Sequence, residues 1–302
     1  MADLQTLIKD RLAQNRWGIL GNQGYVLGVD LGSYGLRAAL ADLQHRTVRI
    51  GHTDMSGSTP DELIEHAITL AHSLLKEAEV LPDRLVRVSV GFAGPVDLRF
   101  GTVRLSLRMP GWENYPLQER FEQAFDAVTL IDNDANLIAL AEATFGVGAG
   151  RQHLAYLHLS SGVGGGLVLN GRLYHGATST AGEIGHAVVG HGWDGSGRPE
   201  TLEELVAITG LLRRAARYGF TTDNLEQIFS DHPVGQRVVA ETVDLVATRC
   251  AQIVALIDPE MIVLGGIVVR IGGEPFVKAI AAKVNDFIAP QFARPLPVVA
   301  SI

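Results

Sequence analysis

The sequence predicts an α/β protein of two domains, and three observations carry that prediction. A length of 302 residues is enough for two domains of ordinary size. Segments with strand-like and helix-like patterns of apolar residues alternate along both halves of the chain. Each half also opens with a glycine-bearing β-hairpin, which suggests a duplication of the fold. We expect a lead-in segment over residues 1–22 and domains over residues 23–135 and 136–302.

The first half begins with three strands and continues with alternating helices and strands. Thr59-Pro60-Asp61-Glu62 is a capping box with proline at the first helical position, so a helix begins there. The predicted strands are Tyr25–Asp30, Arg37–Leu43, Thr47–His52, Val86–Phe92 and Val128–Asp132, with a further helix over Leu117–Phe125.

The second half repeats this order and then becomes mainly helical. Asn170-Gly171 is a strong two-residue hairpin turn between short strand segments. The predicted strands are Leu154–Leu159, Leu167–Leu169, Arg172–Tyr174 and Met261–Leu264, and the predicted helices are Leu202–Tyr218, Asn224–Phe229, Gly235–Ile257 and Pro275–Ile288.

Composition and charge exclude several classes of protein. The single cysteine, Cys250, excludes an internal disulfide framework and any multi-cysteine metal site. A formal net charge of -8 argues against sequence-independent nucleic-acid binding, which needs a positive surface. The most apolar stretch, Ile253–Val269, is interrupted by Asp258-Pro259-Glu260 and does not predict a membrane span. The mixed, polar stretch Met1–Asp10 does not read as a secretory signal, so we expect a soluble cytoplasmic protein.

Three glycine-rich elements are candidates for binding phosphate groups. They are the hairpin Asp30–Arg37, the loop Ser160–Gly166 and the pair Gly265-Gly266 after a buried strand. Unpaired backbone N–H groups in such turns can hold an anion, and an aspartate at a strand end can hold magnesium. The alternative is structural: tight turns, or glycines that let one backbone pack closely on another.

Polar side chains cluster in two further places. Asp132-Asn133-Asp134-Ala135-Asn136 follows an apolar strand, and a carboxylate fixed there can act as a general base to a hydroxyl group. Helix capping explains one of these residues and leaves the others unexplained. Glu183 and His186 stand three residues apart among small residues, a pattern typical of a recognition turn. Glu203 and Glu204 open a helix, where acidic residues also suit the helix dipole.

The combined order of motifs resembles the ROK family, whose members are repressors and sugar kinases. This resemblance implies the actin-like ATPase, ribonuclease-H-like fold of two α/β domains, with a sugar site and a nucleotide site in an interdomain cleft. The matching stretches are Gly24–Leu43 (GYVLGVDLGSYGLRAALADL), Gly91–Asp97 (GFAGPVD), Pro110–Leu117 (PGWENYPL), Asp132–Asn136 (DNDAN), Leu159–Ala177 (LSSGVGGGLVLNGRLYHGA), Ala181–His186 (AGEIGH) and Asp258–Gly266 (DPEMIVLGG).

The resemblance also implies roles for individual residues. Asp134 matches the family's catalytic base, and it shares the sugar site with Asn133, Glu183, His186 and Glu203. The family's helix beginning Leu-Glu selects Glu203 over Glu204. The residues that match the metal and nucleotide elements are Asp30, Gly32, Ser33, Ser161, Gly162, Gly164, Gly265 and Gly266.

Three departures from the family pattern bear on function. Ser33 and Tyr34 stand where the kinases have Gly-Thr, and a bulky Tyr34 is expected to crowd the β- and γ-phosphates of ATP. Residues 187–201 contain no cysteine, although the family's zinc motif follows the histidine there, so we expect no zinc. His191 and Asp194 are the other potential metal ligands in that segment. We also expect no helix-turn-helix domain of the repressor type.

Three interpretations stay open. The favoured one is a regulator-type sugar sensor without its own DNA-binding domain, which binds a sugar as a homodimer and does not contact DNA directly. The alternative is an ATP-dependent, glucokinase-like sugar kinase that phosphorylates a hexose or an N-acetylhexosamine, with Asp134 as base and Mg-ATP as cosubstrate. The third is a degenerate protein that binds neither ligand.

Overall fold

A computed structural model describes residues 24–32, 35–54, 59–104, 110–191, 197–288 and 295–301. The expected lead-in over residues 1–22, together with Ser33 and Tyr34, lies outside these residues. The chain divides into two compact units, Met1–Leu137 with Gly176–Thr180, and Ile138–His175 with Ala181–Ile302. The division therefore falls two residues after the boundary expected at residue 135, and residues 176–180 group with the first unit.

The first unit contains a five-stranded mixed sheet. Its strands are β1 (Tyr25–Gly32), β2 (Gly35–Asp42), β3 (Thr47–Thr53), β4 (Leu85–Phe92) and β7 (Thr129–Asn133). The strand order is β3-β2-β1-β4-β7; β1, β2 and β3 are antiparallel neighbours, and β1, β4 and β7 run parallel. A short antiparallel ladder, β5 (Val96–Asp97) with β6 (Thr102–Val103), follows β4.

Two helices, α1 (Pro60–Glu77) and α2 (Leu117–Phe125), accompany this sheet, and a third, α3 (Asp134–Thr144), begins in this unit and continues into the second. The predicted capping box starts α1, since the N–H of Thr59 donates to the Glu62 carboxylate at 2.9 Å and the Thr59 hydroxyl accepts from the Glu62 N–H. Apolar side chains at helical spacing on α1, among them Leu63, Ile64 and Ala67, are buried in the core beneath the sheet.

The second unit contains a sheet with the same strand order and the same directions. Its strands are β8 (Leu154–Leu159), β9 (Val163–Leu169), β10 (Arg172–Leu173), β13 (Met261–Gly265) and β14 (Val298–Ala300). The order is β10-β9-β8-β13-β14, with β8, β9 and β10 antiparallel and β8, β13 and β14 parallel. A separate antiparallel ladder joins β11 (Val188–His191) to β12 (Pro199–Thr201).

Five helices belong to this unit: α4 (Leu202–Val206), α5 (Ile208–Arg217), α6 (Leu225–Ile228), α7 (Pro233–Ile257) and α8 (Ile267–Ile288). A 3₁₀ turn spans Ile184–His186. All five residues of β13 are buried, which fits a central strand covered on both faces. Among the described residues, no helix is both long enough and apolar enough to cross a bilayer.

Three predicted elements differ from the structure by more than one or two residues at their ends. The single helix expected over Leu202–Tyr218 is two helices, because Ala207 has extended backbone angles (φ -64°, ψ 160°). The last predicted helix, Pro275–Ile288, is preceded in α8 by a helical segment from Ile267 that the sequence did not predict, and Gly273, with a φ of 62°, separates the two. The strand expected from Leu167 begins at Val163, so Gly164 is a strand residue and the turn itself is short.

Candidate functional site

Parallel pairing in the first unit places Asp30 and Asp132 near the same edge of the sheet. Asp30 of β1 is opposite Gly91 of β4, and Gly91 is opposite Asp132 of β7. A Cβ atom on Gly91 would lie only 3.2 Å from Cδ1 of Leu137 in the first turn of α3. Glycine at this position therefore lets the start of α3 pack on β4, at the carboxyl ends of the strands where ligands of α/β proteins bind.

Asp30 has the properties of a cation ligand. Its side chain is half-buried, and burial raises the pKa of its carboxyl group, which the positive charge of Arg37 only partly opposes. A Cβ atom on Gly32 would lie 3.1 and 3.2 Å from the two Asp30 carboxylate oxygens. Glycine at position 32 thus keeps space beside the carboxylate. Ser33, the next residue of the predicted nucleotide site, lies outside the described residues.

The turn from Asp132 to Asn136 is held by its own hydrogen bonds. The buried Asp132 Oδ1 accepts from the Asn133 N–H at 2.8 Å and from Asn136 Nδ2 at 2.9 Å. The Ala135 N–H donates to Asn133 Oδ1 at 2.9 Å and to Asp134 Oδ1 at 2.8 Å. These bonds satisfy N–H groups at the start of α3 and fix Asp134 at its first position.

Asn133 also joins this turn to the loop that follows β4. Its Nδ2 donates to the carbonyl oxygen of Gly94 at 3.1 Å, within the GFAGPVD motif. Asn133 and Asp134 are both half-buried. The structure therefore brings together the two predicted sugar-binding residues of the first unit, and helix capping accounts for only part of what Asn133 does.

In the second unit, the predicted nucleotide residues lie at the ends of neighbouring strands. A hydrogen bond of 2.9 Å from the Ser160 N–H to the Gly162 carbonyl closes the β8–β9 turn, which contains Ser161. Gly164 pairs with His158 of β8, and Gly265 of β13 pairs with the same residue from the other side.

Gly266 must be glycine for two reasons. Its φ of +94° is one that other residues rarely adopt, and a Cβ atom there would overlap the Leu159 carbonyl oxygen. It lies directly before α8. The pair Gly265-Gly266 therefore sits beside the end of β8, next to the Ser160–Gly162 turn.

The glycines of β9 also serve backbone packing. A Cβ atom on Gly165 would lie 2.9 Å from the Tyr156 carbonyl oxygen and 3.0 Å from that of Gly182. A Cβ atom on Gly185 would overlap the Val163 carbonyl oxygen. The segment carrying Glu183 and His186 thus lies directly on β9, and the structural alternative explains Gly165 without any ligand.

The predicted sugar-binding residues of the second unit lie close together. Glu183 Oε2 is 3.8 Å from His186 Nε2. Burial raises the pKa of the Glu183 carboxyl group, the nearby negative charge of Glu203 raises it further, and His186 lowers it. Glu203 Oε2 accepts a hydrogen bond of 2.8 Å from the Val163 N–H. Two carboxylates and an imidazole therefore face one region beside β9.

Glu203 and its neighbour Glu204 have different surroundings. Glu204 completes a capping box with Thr201, whose N–H donates to Glu204 Oε2 at 2.9 Å, and it pairs with Arg198 at 2.8 Å. Helix capping thus occupies Glu204, whereas Glu203 contacts the glycine-rich strand.

Hydrogen bonds hold the segment after His186. The β11–β12 ladder spans it, and Arg249 of α7 donates from Nη2 to the Val188 carbonyl at 3.0 Å. Among the residues that the structure describes, no group of three or more His, Cys, Asp and Glu side chains could hold a metal ion. Asp194 and the side chain of His191 are not described.

Two groups of the site carried no signal in the sequence: the carbonyl of Gly94 and the N–H of Val163. Both are backbone groups, so residue type does not report their contacts. Asp132 had a signal, as an acid beside the predicted pair, but its structural part in holding Asn133 emerges only from the hydrogen bonds.

Comparisons with known proteins show which families and folds the chain is similar to. The family model described as "ROK family" matches residues 26–302. The chain is 28% identical to the glucokinase of Thermotoga maritima over 91% of its own length and 92% of that protein. It is 26% identical to the xylose repressor of Caldicellulosiruptor bescii, over 88% of the chain and 72% of the repressor.

Among solved structures, the chain resembles the ROK hexokinase of Thermus thermophilus. The TM-score is 0.79 at 27% identity, and the match covers 92% of this chain and 93% of the hexokinase. This similarity confirms the predicted fold class, the actin-like ATPase fold built from two α/β units.

Proposed function

The chain belongs to the ROK family, and we propose that it is a sugar kinase that transfers the γ-phosphoryl group of Mg-ATP to a hexose or an N-acetylhexosamine. The similarity to a glucokinase and a hexokinase along nine-tenths of the chain supports this proposal. The sequence alone favours a sugar sensor, with a sugar kinase as the alternative. We now prefer the kinase.

The position of the Asp134 carboxylate is the observation that carries the proposal. Its half-buried carboxylate stands at the first position of α3, at the carboxyl end of β7, where the bond from Ala135 fixes its orientation. A general base must be fixed within hydrogen-bond reach of the hydroxyl proton that it removes. In the proposed reaction Asp134 accepts that proton, the sugar oxygen bonds to the γ-phosphorus, and the bond to the departing ADP breaks.

Sugar recognition, in this proposal, uses fixed acceptors and one imidazole. Asn133 and Asp134 bind sugar hydroxyl groups, and Glu183, His186 and Glu203 bind others. Buried polar groups that pair with substrate hydroxyls reject analogues that lack them, because the groups would then stay unpaired. The density of carboxylates in these segments suits a ligand that donates several hydrogen bonds.

Nucleotide binding is proposed for the glycine elements, namely Ser161, Gly162, Gly164, Gly265 and Gly266, together with Asp30, Gly32 and Ser33. Asp30 suits magnesium, because a half-buried carboxylate with a raised pKa gains from a nearby cation. Magnesium would neutralise charge on the phosphates during transfer.

A second candidate function is the regulator-type sugar sensor, which the similarity to the xylose repressor supports. Tyr34, the residue that favoured this interpretation, lies outside the described residues. Its effect stays a prediction: Tyr34→Thr with Ser33→Gly is expected to tighten binding of Mg-ATP.

A coupled ADP-release assay tests the proposal. It is run on glucose, mannose, galactose, N-acetylglucosamine and N-acetylmannosamine, with thermal shifts measured on the same sugars. We expect sugar-dependent turnover that falls about 10²- to 10⁴-fold in Asp134→Asn, the usual contribution of general base catalysis. Asp223→Asn, an exposed site, is the matched control. Sugar binding without turnover supports the sensor, and neither binding nor turnover supports a degenerate protein.

The same proposal includes a homodimer in the cytoplasm that does not bind DNA directly. The net charge of -8 supports the last point. Light scattering of the purified protein measures the oligomeric state.

A further inference from the structure

The backbone of Val163 connects the two kinds of binding element in the second unit. Its N–H donates to Glu203 Oε2 at 2.8 Å, and its carbonyl oxygen lies against Gly185, between Glu183 and His186. Val163 is also the first residue of β9, directly after the Ser160–Gly162 turn. The N–H and the carbonyl group of Val163 therefore both contact segments that are proposed to bind sugar.

A second bond ties the helix of Glu203 to the same turn. The Ile208 N–H donates to the Ser160 carbonyl oxygen at 3.0 Å. Ile208 begins α5, and only Ala207 separates α5 from α4, which carries Glu203 in its first turn. Glu203 and Ile208 thus hold the turn on both sides, at Val163 and at Ser160.

The Glu203 carboxylate stands where it can respond to a sugar. It is half-buried, and its negative charge acts on the neighbouring Glu183. Hydroxyl donors of a sugar would further restrict this carboxylate to the rotamer that accepts the Val163 N–H bond. A fixed carboxylate holds the Val163 N–H in one direction, and with it the adjoining turn, whose N–H groups are proposed to meet the nucleotide phosphates.

We infer that Glu203 is a positioning residue as well as a sugar ligand, and that through Val163 it makes nucleotide binding depend on sugar occupancy. This inference rests on the proposed kinase function. Because coupling between two binding sites is reciprocal, sugar should tighten nucleotide binding by the same factor by which nucleotide tightens sugar binding.

Calorimetry with Mg-AMPPNP, with and without a saturating concentration of the tightest-binding panel sugar, measures this coupling. In the wild type we expect the Kd for Mg-AMPPNP to fall about fivefold or more when sugar is present, the lower end of usual couplings. Glu203→Ala and Glu203→Asp should reduce that factor to below about twofold, since neither side chain reaches the Val163 N–H. Glu203→Gln keeps an acceptor oxygen at the right distance and should retain most of the coupling. Glu226→Ala, an exposed site in α6, is the matched control.

The amide resonance of Val163 provides a readout that does not depend on nucleotide. It should shift when sugar is added to the wild type and to Glu203→Gln, and it should not respond in Glu203→Asp. If both ligands bind the wild type with no mutual effect, or if Glu203→Ala keeps the wild-type factor at saturating sugar, the inference is wrong and the kinase proposal stands. If the wild type binds no nucleotide, both fail together.

Discussion

Asn133 Nδ2 donates a hydrogen bond of 3.1 Å to the carbonyl oxygen of Gly94, while Oδ1 of the same side chain accepts one of 2.9 Å from the Ala135 N–H. One side chain thus fixes the start of α3 and the loop after β4. Asp134, the proposed base, lies between Asn133 and Ala135. The orientation of its carboxylate therefore depends on a neighbour whose role is partly structural.

We predict that Asn133→Ala lowers the free energy of unfolding by about 1–3 kcal/mol. The change removes a helix cap, worth about 1 kcal/mol, and leaves the half-buried Gly94 carbonyl without its donor. Asn133→Ser keeps a cap oxygen but not the donor to Gly94, so its loss should be smaller. Urea denaturation measures both, with Asp223→Asn as the surface control. A loss below about 0.5 kcal/mol in Asn133→Ala would show that these bonds do not support the turn.

The sequence predicts an element well where neighbouring residues determine it, and poorly where a contact distant in sequence determines it. The sequence predicts the ends of α2 and β8 to the residue, because a periodic apolar pattern and adjacent turns mark them. The sequence does not predict the break at Ala207, because alanine is a good helix former and a tertiary bond from Ile208 to Ser160 overrides that preference.

The candidate site shows the same limit. Residue types and motifs indicate the candidate sugar-binding residues Asn133, Asp134, Glu183 and Glu203. The partners of Asn133 and Glu203 are backbone groups distant in sequence, those of Gly94 and Val163, which no residue pattern reports. The sequence alone leaves the role of Gly165 open between ligand binding and packing, and its contacts with Tyr156 and Gly182 favour packing.

We predict that Gly266→Ala is far more destabilising than Gly219→Ala. Both glycines have positive φ angles, +94° and +88°, so alanine strains the backbone at either position by about 1–2 kcal/mol. A Cβ atom on Gly266 would overlap the Leu159 carbonyl, whereas nothing lies within 4 Å of one on Gly219. The difference between the two variants in thermal or urea unfolding isolates the overlap. Equal losses would mean that the end of β8 moves aside readily, which contradicts the close packing of Gly266 on Leu159.

We predict that Glu183→Gln raises stability at neutral pH relative to the wild type, and that this advantage disappears in acid. Burial first, and then the charge of Glu203, raise the pKa of Glu183 above its ordinary value of 4.5. A raised pKa means that the folded protein binds the proton more tightly than the unfolded chain does. The stability that this proton gives the wild type is therefore complete below pH 4.5 and is lost as the pH rises through the folded pKa. Glutamine resembles the protonated acid, so the variant does not lose this stability as the pH rises.

Melting temperatures of the wild type and Glu183→Gln between pH 4 and pH 8 check this dependence. Glu226→Gln removes one negative charge from an exposed site and controls for the change in net charge. An advantage of Glu183→Gln that grows toward low pH would have the wrong sign and would contradict the assigned surroundings of Glu183.

Arg249 helps to hold the segment after His186 in place. In a zinc site, cysteine ligands would hold such a segment. The Arg249 guanidinium donates to the Val188 carbonyl of β11 from the long helix α7, and burial lowers its pKa. The β11–β12 ladder and the bond from the Leu202 N–H to the Ala187 carbonyl, at 2.9 Å, complete the attachment. The expected absence of zinc stays a prediction, and these bonds make it testable.

We predict that Arg249→Ala loosens the β11–β12 ladder and that chelation of metal does not. Loss of one hydrogen bond to a charged donor is worth about 1.5–3 kcal/mol, so amide exchange in β11 and β12 should accelerate by about 10-fold or more. Arg249→Lys can still donate to Val188 and should retain part of the protection, while Arg270→Ala, an exposed site in α8, is the matched control. Exchange in β8 and β13 should be unchanged in all three variants, since the hydrogen bond that Arg249→Ala removes is to β11. EDTA is expected to leave both the melting temperature and the exchange of the ladder unchanged. Stoichiometric zinc in protein purified without a histidine tag, or loosening of the ladder by EDTA, would show that a metal holds this segment and that the hydrogen bonds of Arg249 are secondary.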